Sequence, residues 1–192
     1  PRESKENEEF DASFNASFEY QELGSNWHWR YYGLFLEAYV NNTFSLSGQV
    51  YAGNGSDGKT YVHIPAGGLL LLLTTKTVLD VLFEDEPLTT METIILILTE
   101  NINYNMYYAN NKISVSPYLN IFALDASEAY GPDRTQNAML SNGLGVNVKF
   151  MHAKPLIVST FFNLKYYHVV GGNFSFNNHF GYAVGINVGI IY

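Results

Sequence analysis

Apolar and polar residues alternate along most of this chain, and the last stretch shows the pattern most plainly. Phe180, Tyr182, Val184, Ile186, Val188 and Ile190 fill every second position, with Gly181, Ala183, Gly185, Asn187, Gly189 and Ile191 between them. A period of two marks a β-strand with two unlike faces. The run to Tyr192 is about twice the usual strand length of about 5–6 residues. Upstream, Phe10 to Gln21 sets Phe10, Ala12, Phe14, Ala16, Phe18 and Tyr20 against Asp11, Ser13, Asn15, Ser17, Glu19 and Gln21. Trp27 to Val40 has Tyr32, Leu34, Leu36 and Ala38 on one face and Glu37 on the other. Thr43–Ala52, Met139–Met151 and Leu156–His168 repeat the arrangement, with Asn147 and Lys149 opposing Val146, Val148 and Phe150, and Asn163 and Lys165 opposing Phe162, Leu164 and Tyr166.

The middle of the chain is less regular. Thr60 to Ile64 reads as a short strand that Pro65-Ala66-Gly67-Gly68 turns, and Leu69 to Phe83 as a fifth strand with Lys76 and Asp80 on one face. If Pro65 is only a bulge, one long strand replaces two and the count changes. Thr93 to Tyr108 reads as the next strand. Asn101, Asn103 and Asn105 line one of its faces, which leaves Glu100 among the apolar residues Leu98 and Ile102. Pro117 falls inside the strand Ile113–Leu124, where it lacks a backbone donor.

The pattern predicts an all-β, antiparallel, up-and-down barrel of about ten strands, with eight as the smaller alternative. Connections after odd strands are long and polar (53–59, 84–92, 125–137 and 169–178, with 23–26 the exception). Those after even strands are short (41–42, 65–68, 109–112 and 153–155). Loops sorted by parity, and strands of about 9–11 or more residues with one apolar and one polar face, resemble those of the bacterial outer-membrane β-barrels. The resemblance covers residues 10–192 as an architecture. The chain departs from it in ending on Tyr192 rather than Phe and in its short fourth strand. It implies a transmembrane barrel domain over 10–192 with apolar side chains toward outer-membrane lipid. A polar tail, residues 1–9, lies on the periplasmic side with both termini.

Composition agrees with an all-β chain: 16% aromatic, 15% charged and no cysteine, so disulfides and thiolate metal sites are absent. A formal charge of −8 argues against nucleic acid as a partner. The longest apolar run, Leu69 to Leu73, is far short of the about 18 residues of a membrane helix. A chain that opens on Pro1 without Met suggests a leader removed or a trimmed start. Trp27, Trp29, Tyr31 and Tyr32, and the pairs Tyr107-Tyr108 and Tyr166-Tyr167, fit interfacial aromatic girdles.

The candidate functional residues are those on the predicted inner face: Asp11, Glu19, Glu37, Lys76, Asp80, Asn147, Lys149, Asn163, Lys165 and Asn187. They would line a narrow aqueous pore for polar solutes or fill a structural core. The first expectation is a non-enzymatic, porin-like channel. The second is a structural or docking barrel that grips other envelope proteins through its tail or outer loops, and the third a secreted β-sandwich or filament subunit. No residues point to a cofactor or metal, since His28, His63, His152, His168 and His179 are scattered without ligand spacing. The one constellation with hydrolase chemistry is His168, His179 and Ser175 around the last long loop.

Overall fold

The computed structural model describes residues 12–24, 27–68, 94, 96–127, 136–153, 155–172, 174 and 179–191. Alternation becomes strand wherever it is unbroken: β1 (Ala12–Leu23), β2 (Trp27–Tyr39), β3 (Phe44–Gly55), β7 (Ile113–Ser127), β8 (Ala138–Ala153), β9 (Leu156–Gly171) and β10 (His179–Ile191). Among the described residues three shorter strands lie between β3 and β7: β4 (Thr60–Pro65), β5 (Asn101–Tyr104) and β6 (Met106–Tyr108).

Every pairing is antiparallel and the sheet closes on itself, with β1 paired to β10 from Ser13↔Ile191 to Leu23↔Gly181 and to β2 from Ala12↔Ala38 to Leu23↔Trp27. The barrel has eight strand positions rather than ten, because three short strands share one. β4 pairs with Tyr51–Asn54 of β3 and Ala123–Ser127 of β7, while β5 pairs with Phe44–Ser47 of β3 and Tyr118–Asn120 of β7. Both run against the same neighbours in the same direction, so they are two halves of the fourth wall position, and β6 extends it along Ile113–Val115. The chain leaves the wall at Pro65 and rejoins it at Asn101. The strand expected at 69–83 lies outside the described residues, and 65–68 is not a hairpin turn. Thr93–Tyr108 is not one strand either: residues 94–97 include helical positions, and β5 begins only at Asn101.

Backbone hydrogen bonds stitch this break. Gly68 N–H donates to Thr99 O (2.7 Å), Ala66 N–H to Phe122 O (3.0 Å), Glu100 N–H to Ser47 O (2.8 Å) and Ile121 N–H to Glu100 O (2.8 Å). Leu98 lies against the outer side of β3, where a Cβ at Gly48 would overlap its carbonyl oxygen. The two local conflicts in the sequence resolve here. Glu100 precedes β5, outside the strand alternation, and turns inward to full burial. Pro117 sits where the ladder between β5/β6 and β7 lapses, between Asn103↔Tyr118 and Met106↔Val115, so its missing donor interrupts nothing.

Both described ends of the chain lie with the connections 40–43 and 109–112. Gly24 and the connection 56–59 lie at the opposite end. The usual polarity of a protein is inverted across the wall. Lys165 is fully buried while its neighbour Leu164 is 57% exposed, and the same holds for Asn187 beside Ile186 and Asn163 beside Phe162.

Candidate functional site

An eight-stranded barrel has an interior just wide enough for side chains to fill. Here they fill it in layers. At the loop end Leu23, Trp29, Tyr31, Tyr51, Tyr61, Met139 and Tyr167 form a buried aromatic plug. Trp29 stacks on Tyr167 (6.2 Å between centroids) and meets Tyr61 edge-on (5.8 Å). Their hydroxyls reach polar partners: Tyr61 donates to Asp57 Oδ2 (2.8 Å), Tyr167 to Gln21 Oε1 (2.9 Å) and Tyr31 to Asp125 Oδ1 (2.9 Å). Trp29, Tyr31 and Tyr167 are thus not part of an outer girdle. Strand parity puts them on the face opposite Tyr32 and Tyr166, and only the latter side faces out.

Below the plug lies an ionic layer. His63 on β4 stands between two carboxylates, with Nδ1 2.8 Å from Asp125 Oδ1 and Nε2 3.1 Å from Glu100 Oε2, all fully buried. Ionised carboxylates only accept, so both ring nitrogens must donate, which is the imidazolium form. Asn120 Nδ2 donates to the other Glu100 oxygen, so the return of the chain at residue 100 is fixed from inside. Lys165 Nζ lies 3.3 Å from Glu19 Oε1, which also accepts from Gln21 Nε2. Ser17 then bridges Tyr51 and Asn187, and Asn187 donates to Ser159 (3.0 Å). Towards the turn end Lys149 pairs with Glu37 and donates to Asn105 Oδ1 (3.1 Å), while Ser45 also donates to Glu37. Met151, Ile157 and Ile191, with Tyr39 and Tyr107 against them, close that end.

Glycines on the inner face do not leave a passage. The Tyr118 ring lies over Gly145 and the Phe161 ring over Gly185, each on the residue directly opposite, so that a Cβ at either glycine would overlap the ring. The interior cavity lined by Phe35, Ser47, Gln49, Asn101, Asn103, Tyr118, Asn147 and Phe161 measures about 10 Å³, the volume of about one water. Several buried atoms lack a protein partner, among them Glu19 Oε2, Asp125 Oδ2, Asn147 Oδ1 and both amide atoms of Asn163.

Of the candidates chosen from the sequence, Glu19, Glu37, Asn147, Lys149, Asn163, Lys165 and Asn187 are all buried in this interior. Asp11, Lys76 and Asp80 lie outside the described residues. The structure brings Glu19 to Lys165 and Glu37 to Lys149 as two separate pairs. Sequence reasoning missed His63, Glu100 and Asp125. A signal existed for the first: in Thr60–Pro65, His63 shares the face of Tyr61 and opposes Val62 and Ile64. His168 and His179 do not meet. His179 pairs with Tyr167, so it falls on the face opposite His168, which lies edge-on to Tyr166 at 4.7 Å. Ser175 is outside the described residues. Among the described residues no group of three or more His, Cys, Asp or Glu could hold a metal ion.

In comparisons with known proteins, no family model matches the chain and no curated protein matches its sequence. The functional reading therefore rests on the barrel itself.

Proposed function

We propose that this chain is a membrane-embedded barrel of the bacterial outer-membrane type whose interior is filled, and that it serves as a structural or docking component of the envelope. The observation that carries the reading is the inverted wall: apolar side chains such as Phe14, Leu34, Leu144, Leu164 and Ile186 face outward while Glu19, Glu37, His63, Lys149 and Lys165 are sealed inside. In water such a surface would be a large exposed apolar patch. In a bilayer it is the ordinary outer face of a closed barrel.

The filled core favours the docking reading over the channel. An aromatic plug at one end, an aliphatic one at the other and, among the described residues, a water-sized cavity between them support a barrel that does not conduct. The segments that would meet partners on this reading are the polar stretch of residues 1–9 and the polar stretches 125–137 and 169–178. The channel reading keeps one support, the ionic and amide-rich inner face. Reconstitution into planar bilayers separates the two. Docking predicts no steady conductance, together with co-purifying partners that are lost on deleting Pro1 to Glu9. Steady conductance from the isolated barrel, altered by Lys149→Glu, would replace this reading with the channel. A folded monomer soluble without detergent would remove both.

A further inference from the structure

The outer wall is not uniform. Beside the break in the fourth wall position it carries a groove of about 380 Å³, within the about 300–1,000 Å³ of small-ligand sites. Phe44, Ile102 and Tyr104 form one side and Leu119 and Leu144 the other, over a floor at Pro117 and Gly145. The groove follows from the lapse in the ladder. Between Asn103↔Tyr118 and Met106↔Val115, β5/β6 and β7 are not paired, and at that level the outward residue of β7 is the short ring of Pro117. Phe44, Tyr104, Leu119 and Leu144 stand around it, each at least 44% exposed.

We propose that this groove holds one acyl chain of a bilayer lipid. The inference rests on the membrane reading above and adds a defined site to it. Its lining is continuous with the apolar outer face. The polar side chains nearest its floor, Asn103 and Tyr118, are turned into the barrel and buried. A peptide segment laid there would bring backbone N–H and C=O groups that find no partners, at a cost of several kcal/mol each in hydrocarbon. A hydrocarbon chain brings none. The Tyr104 hydroxyl is the one outward-facing donor among these lining side chains, and an ester carbonyl can accept from it.

The test uses the full chain in phosphatidylcholine vesicles in which a fraction of the lipid carries a diazirine on one acyl chain, with cross-linked residues located by mass spectrometry. Labelling of Ile102, Tyr104, Leu119 and Leu144 should exceed that of Leu164, Ile186 and Val188 on the other side of the barrel several-fold. Leu119→Trp, which fills the groove from its rim, should remove the excess while the barrel keeps its faster migration when unboiled. Leu144→Trp is the second filling variant should the first not fold. Even labelling around the barrel would overturn the site and leave the membrane reading intact. An excess that survives both filling variants would also overturn it. A protein that does not float with the vesicles would overturn both readings.

Discussion

The two sides of this barrel are built differently. From β8 through β9, β10 and β1 to β2, long strands pair with at most two irregularities of register, and their inner faces carry the Glu19–Lys165 pair. From β3 to β7 the wall is pieced together from β4, β5 and β6, none longer than six residues. The first side is held mainly by its ladder. The second has a shorter ladder and compensates with side chains: His63, Glu100, Asp125 and Asn120 join β4, the returning chain and β7 from within. The polar core thus has two roles in this barrel: Glu19–Lys165 and Glu37–Lys149 neutralise charge between strands of the continuous side, while the His63 cluster joins elements where backbone pairing is short.

The most damaging single change should therefore be in the pieced wall. His63→Leu removes the one cation in contact with both Glu100 and Asp125 among the described residues, leaving Lys165 to act on them from farther away. Its cost should reach or exceed the upper end of the about 3–5 kcal/mol typical of breaking one buried pair. Urea titration of refolded protein checks this, and adding Glu100→Gln with Asp125→Asn should recover much of the loss. A midpoint close to that of the parent would mean the cluster is not a staple. Lys149→Met, which breaks one pair rather than two, should cost about 3–5 kcal/mol, with Glu37→Gln restoring a good part of it in a double-mutant cycle.

On the continuous side the outer face is the sensitive surface. Leu164→Arg, near the middle of β9, should cost about 2–4 kcal/mol if that face meets lipid. The same change in a water-soluble barrel would be close to neutral, so the measurement separates the two environments. Hydrogen exchange sharpens the contrast without mutation. Amides of Asn101–Tyr108 should exchange faster than those of β9 and β1, because local opening follows short pairing and few neighbours. Equal protection would show that the staple makes up the whole deficit. The smallest effect should come from replacing residues 69–93 by a short Gly/Ser linker. Loop-closure entropy changes slowly with length, so stability should move by only about 1 kcal/mol. Loss of the folded barrel would show that these residues hold the wall closed.

The continuous side was legible in the sequence because its strands alternate without interruption. Phe180–Tyr192 and Leu156–His168 could be assigned both faces, and Lys149, Asn163, Lys165 and Asn187 fell on the buried one. The pieced side was not, for a physical reason. Alternation is a local signal, and nothing local says that Thr60–Pro65 and Asn101–Tyr104, which lie far apart in the chain, occupy one strand position. The strand expected over Leu69–Phe83 lies outside the described residues, and the eight wall positions follow from β4, β5 and β6 sharing one. Glu100 looks misplaced in the sequence only when it is set in register with β5; it belongs to the turn before it. By residue type alone Trp29, Tyr31 and Tyr167 fit a girdle. Their own parity, opposite Tyr32, Leu34 and Tyr166, would have placed them inside.

The split fourth position has a further consequence for the order in which the chain runs around the barrel. The first and last strands are neighbours, with Ser13 opposite Ile191, so the wall is a ring that the covalent chain happens to open between β10 and β1. It already comes apart a second time, between Pro65 and Asn101. We predict that a circular permutant that joins Ile191 to Ala12 through a short linker, starts at Glu100 and ends at Pro65 will refold to the same barrel, with the gap in β4/β5 as its natural seam. A permutant that no longer shows faster migration when unboiled would mean that the 66–99 connection is needed to bring the two halves of that position together.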